Sequence, residues 1–178
     1  MSESESMVRW TIVIAMASWA GVCAAFLGMR AQRKDSKALL HAQISAELDK
    51  QFDSTEMRKA RKVFALELLR QKIRLPREDR VLGFFEKVGI YHRLQRIDDE
   101  ATFSSFSYYV HRYWAAAKPG IDSFRKQEND PNYYSDFETL YYKMLQYDAK
   151  RGHCSVTDIT LPQSKVDEFL KDEAALNP

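Results

Sequence analysis

Residues 10–29 constrain this chain more than any other stretch. They read WTIVIAMASWAGVCAAFLGM, twenty residues without a charge, bracketed by Arg9 and Arg30. A helix rises about 1.5 Å per residue, so this run covers about 30 Å, the thickness of a bilayer's hydrocarbon core. A buried helix of a water-soluble domain rarely runs this long with nothing charged to turn outward. A cleavable export signal has an apolar region of about 7–15 residues behind a positive leader. Here the leader carries Glu3 and Glu5 against Arg9, and the apolar run is longer. The expectation is a transmembrane helix.

Orientation follows from the basic residues at its ends. Arg9 stands alone on the N-terminal side, whereas Arg30, Arg33, Lys34 and Lys37 follow the span and suit lipid headgroups. The positive-inside rule places 1–9 as a short extracytoplasmic tail and the rest in the cytoplasm. The expected location is a bacterial inner membrane crossed once, N-terminus outside. One face of the span is small, with Ala17, Gly21 and Ala25 at four-residue steps. Such spacing lets two backbones approach, which suggests self-association within the bilayer.

Beyond the span every pattern is helical. Between Met29 and Lys50 no Pro or Gly occurs, and Leu40, Ile44 and Leu48 recur every four residues. Residues 30–52 therefore read as a juxtamembrane stalk continuing the span. Residues 53–178 read as a cytoplasmic bundle of about five helices. Asp53 is the expected cap of the first of these, with Met57, Ala60, Phe64 and Leu68 as its inner stripe. Pro76 suits the first turn of the next, Val81, Leu82, Phe85 and Val88 its inner face, and Gly89 its end. Asp98 and Asp99 cap a helix carrying Phe103, Phe106, Val110, Tyr113 and Trp114, which Pro119-Gly120 is expected to interrupt. Asp130-Pro131 signals another start, and Gly152 its stop. Pro162 opens a last amphipathic helix with Val166, Phe169 and Leu170 inward. No strand-like alternation occurs, so the fold class is all-α.

The Met57-Arg58-Lys59-Ala60-Arg61 helix start, the run Phe84-Phe85-Glu86-Lys87-Val88-Gly89 and the run from Trp114 to Arg125 follow one another, and Asp130 to Phe137 comes after. In that order, behind an N-terminal apolar run, they resemble a bacterial family of domains of unknown function found in short single-span proteins. The resemblance covers roughly residues 10–147. It implies a helical cytoplasmic domain on a membrane anchor. It implies no activity, cofactor or catalytic residue.

Chemistry is sparse. The four histidines, His41, His92, His111 and His153, show no metal-ligand spacing, and no glycine-rich phosphate loop or nucleophile motif occurs. Cys23 and Cys154 cannot plausibly pair, which fits a reducing compartment. No cofactor or metal is expected, and the reading leans away from an enzyme. Net charge is +2, yet residues 54–97 hold twelve basic side chains against five acids. That stretch offers a route to electrostatic nucleic-acid docking, but the aromatic half that would stack bases is acidic. Glu86 lies among apolar residues and needs a partner if buried. Arg61 and Arg125 stand in apolar surroundings on other helices, so the three suggest either a buried polar network or an anion site. The leading expectation is a membrane-anchored interaction or scaffolding module with an unknown protein partner. The alternative is a membrane-tethered enzyme or effector acting on phosphate-containing ligands.

Overall fold

Every described element of this chain is a helix. A computed structural model describes residues 29, 32, 36–70, 79–151 and 161–177; no strand occurs among them. The chain divides into two units, Met1–Leu40 and His41–Pro178. In the first, the described residues are helical and exposed, and Ser36 Oγ donates to the Gln32 carbonyl at 2.8 Å. The expected span, apart from Met29, lies outside the described residues, as do its Ala17, Gly21 and Ala25 face and Arg30, Arg33 and Lys34. Lys37 is exposed. Among the described residues no helix is long and apolar enough to cross a membrane.

Among the described residues the second unit holds six helices. Helix α1, helical over 36–52, turns Leu48 and Phe52 into the core. Helix α2 is Thr55–Leu69, and its cap is Ser54, not Asp53. Ser54 Oγ accepts from Met57 N at 3.2 Å and donates to the Gln51 carbonyl at 2.8 Å, tying the two helices together, while Asp53 stays exposed. Met57, Arg61, Phe64 and Ala65 face inward.

Helix α3 is Arg80–Arg93, capped by Asp79, whose carboxylate accepts from Val81 N and Leu82 N at 2.8 and 2.9 Å. The expected start at Pro76 lies outside the described residues. Gly89 does not end this helix. It sits inside it, where a Cβ would stand 2.3 Å from the Asp136 carbonyl oxygen. The residue is small because another backbone passes there.

Helix α4 is Asp99–Glu128, capped by Asp98 as expected. It does not break at Pro119. Proline removes one N–H from the ladder, but Ala117, Gly120 and Ile121 around it are buried, and this packing carries the helix through. Asn129, at φ 52°, closes it. Helix α5 is Ser135–Lys150, starting later than Asp130-Pro131 suggests, because residues 131–134 form a turn that ends with Tyr134 left-handed at φ 56°. It ends at Lys150; Gly152 lies outside the described residues. Helix α6 is Gln163–Ala174, following Pro162 as expected.

Pairing between these helices is nested. Helix α3 packs chiefly on α5, and α2 chiefly on α6, outside that pair. Helix α4 lies against α5 and touches α3 and α6. The core is aromatic. Phe52 meets Tyr109 at 4.6 Å between ring centres, Phe85 stacks on Phe137 at 5.2 Å, and Trp114 meets Phe137 edge-on at 5.1 Å. Such pairs add to the burial of their large apolar area.

Candidate functional site

The network expected from Glu86, Arg61 and Arg125 does not form; each finds a nearer partner. Arg61 lies on the inner face of α2, one turn from Met57, and meets α6. Its Nε donates to Glu173 Oε2 at 2.7 Å and its Nη2 to Oε1 at 2.6 Å. Tyr113, from α4, donates its hydroxyl to the same Glu173 Oε2 at 2.5 Å. Arg61 and Glu173 are 4% and 5% exposed, so this is a buried, two-pronged ion pair. The guanidinium also lies 4.2 Å from the centre of the Phe52 ring and 5.0 Å from that of Tyr109. Burial alone would lower the Arg61 pKa, but the hydrogen bonds and charge of Glu173 outweigh it and hold it above the ordinary value. Burial, then the Glu173 charge, pushes the Tyr113 hydroxyl up, so it remains a donor.

Glu86 serves the start of α5. That helix has no side-chain cap of its own. Glu86 Oε2 accepts from Phe137 N at 2.7 Å and Oε1 from Asp136 N at 3.3 Å, so a carboxylate on α3 caps a helix from outside it. Burial raises the Glu86 pKa against the pull of those two N–H groups.

Arg125 joins the turn before α5. Its Nε donates to the Tyr133 carbonyl at 2.9 Å, and its Nη1 lies 2.8 Å from Glu138 Oε2. Arg125 Nη2 is buried with no hydrogen-bond partner among the described residues. It reaches Glu86 only as a weak field. With Arg61 sealed against Glu173, the three residues make no open anion site.

The basic stretch is partly tied into the fold, though among its described residues only Arg61 and Arg93 meet carboxylates. Arg93 pairs with Asp136 at 2.6 Å, Lys62 donates to the Leu176 carbonyl at 3.0 Å, and Lys87 to Gln51 Oε1 at 3.0 Å. Arg58, Lys59, Arg70, Arg80 and Arg96 face solvent.

A cleft of about 940 Å³ opens beside the start of α3, lined by Gln51, Ser54, Met57, Asp79, Phe84 and Lys87 among others. Its acids Glu56, Asp79 and Asp130 face its bases Arg80 and Lys87, so the lining favours neither anion nor cation. Burial raises the Asp79 pKa.

Among the histidines, His92 Nε2 lies 3.0 Å from Asp99 Oδ1, and His111 Nδ1 lies 3.8 Å from Asp148 Oδ2. His111 Nε2 is buried without a partner among the described residues, and burial lowers its pKa. His153 lies outside the described residues. No group of three metal-ligating side chains occurs among the described residues.

Sequence reasoning missed Glu173. The signal was present: Val166, Phe169, Leu170 and Glu173 sit at i, i+3, i+4 and i+7, which puts the acid on the apolar face of α6.

A family model described as Domain of unknown function (DUF4760) matches residues 14–144. No curated protein and no solved structure matches the chain.

Proposed function

The chain belongs to the DUF4760 family, and from that premise we propose that it is a membrane-anchored helical interaction module. Residues 10–29 span a bacterial inner membrane, the stalk is confined to 30–40 because Leu48 and Phe52 belong to the core of the body, and the body works in the cytoplasm. One observation carries this reading: a twenty-residue uncharged run with Arg30, Arg33, Lys34 and Lys37 behind it and Arg9 alone before it. Within the body, ion pairs join the helices to one another. Arg61, Arg93 and Arg125 each bond a carboxylate of another helix or turn. The small face at Ala17, Gly21 and Ala25 adds association between copies within the bilayer.

Topology tests the reading. A fluorescent protein and, separately, an export-dependent phosphatase are fused after Pro178. The expected result is fluorescence with an inactive phosphatase, both in the membrane fraction. An active phosphatase with a dark fluorescent protein overturns the orientation, and a freely soluble fusion overturns the anchor.

A further inference from the structure

Helix α6 is seated in a groove between α2 and α4 by a single amphipathic face. Val166, Phe169, Leu170 and Glu173 are all buried. At one end of the groove Glu173 meets Arg61 and Tyr113. In the middle Phe169 lies edge-on to Tyr113, ring centres 4.9 Å apart. The fit is close at both places.

The other end is different. Between the start of α6, the end of α2 and the middle of α4 lies a cleft of about 410 Å³. Its walls from the groove include Leu68, Leu69, Ala115 and Ala116, and α6 brings Gln163, Asp167 and Lys171 to it beside its anchors Val166 and Leu170. Val166 and Leu170 cover part of this apolar floor, and the space beside them, under Gln163 and Asp167, is unfilled. The family match supplies a third observation. It ends at residue 144, inside α5, so it includes Arg61, Tyr113 and the groove walls but neither the last turns of α5 nor α6.

We propose that the α2–α4 groove is a helix-binding site, and that α6 is its occupant in cis. The partner is an amphipathic helix of another protein, with apolar residues at i, i+3 and i+4 and a carboxylate at i+7. Bulky apolar residues also replace Gln163 and Asp167 at the under-filled end. The carboxylate is required because Arg61 is buried once any helix covers it, and an unpaired buried cation is strongly disfavoured. The apolar anchors supply affinity, as in other helix-in-groove recognition. The inference rests on the interaction reading but not on the membrane anchor.

The full chain in detergent micelles, carrying a protease recognition sequence placed within 152–160, tests this. Fluorescent peptides of residues 161–177 are titrated before and after cutting, with anisotropy as the readout. The unaltered peptide is expected to bind the cut chain and displace α6. An Asp167→Leu peptide should bind about tenfold more tightly, by burying a leucine in the cleft. A Glu173→Gln peptide should bind at least about tenfold more weakly. The Asp167→Leu peptide should also bind the uncut chain, at higher concentration. If cutting reduces the helical circular dichroism of the body, an uncut Phe169→Ala chain takes its place, with the same expectations. The proposal is overturned if no peptide displaces α6 from a folded chain, or if Asp167→Leu gives no gain. It is also overturned if light scattering shows α6 exchanged between two copies, since the groove then serves a second copy of this chain. Failure of the topology fusions would leave these outcomes unchanged.

Discussion

Gly89 and Gly83 lie on the same helix, and the same substitution at each should have opposite effects. A Cβ at Gly89 would stand 2.3 Å from the Asp136 carbonyl oxygen and 2.5 Å from its carbon. Carbon contacts relax only near about 3.5 Å, so α3 and α5 must part by about 1 Å. Forcing a methyl into a packed interface costs about 1–3 kcal/mol. The same shift loosens the Glu86 cap one turn away, where the Asp136 N contact is already 3.3 Å. A hydrogen bond to a charged group contributes about 1.5–3 kcal/mol. Alanine's helix propensity returns about 1 kcal/mol. The net loss for Gly89→Ala is about 2–4 kcal/mol. At Gly83 a Cβ meets nothing within 4 Å, so Gly83→Ala keeps only the propensity gain. For a chain of this size, 1 kcal/mol moves Tm by about 2–4 °C. Thermal melts followed by circular dichroism should show Gly89→Ala lower by about 5–15 °C and Gly83→Ala raised by about 1–4 °C. Equal melting of the two variants would refute the close approach of α3 to Asp136.

The buried pair gives a second test. Glu173→Ala leaves Arg61 and Tyr113 without their acceptor and should cost about 3–5 kcal/mol in urea denaturation. The double change Arg61→Met with Glu173→Leu should recover most of that, and a double variant as weak as the single one would sink the argument. His111 gives a test in pH. Its folded pKa lies below the ordinary 6.5, so its contribution is present above that value and is lost as pH falls through the folded one. His111→Gln should therefore flatten the decline in Tm between about pH 8 and about pH 5; parallel profiles for variant and parent would contradict it.

Much of the body was legible because helix periodicity is local. The stripe Val81, Leu82, Phe85 and Val88, the Asp98 cap and the inward face of α6 each rest on residues a few positions apart. What escaped depends on distant partners. Gly89 has the look of a helix end, and only the backbone of α5 explains it. Pro119 has the look of a break until the burial of Ala117 and Ile121 is known. Glu86 was recognisable as an acid in apolar company, but its partners are backbone N–H groups, which every sequence contains and none displays. Arg61 was recognisable in the same way, while its carboxylate sat on the last helix.

The nested pairing also orders events in time. A contact that closes a short loop is entropically cheaper than one that closes a long loop. The α3–α5 pair encloses little more than α4, whereas the α2–α6 pair must enclose all three. The inner pair is therefore expected to close first during folding, with the outer pair joining a framework already built. In the folded state the order should reverse: α6 and α2 are expected to part first, and native-state hydrogen exchange should find their amides exchanging while those of α3 and α5 are still protected.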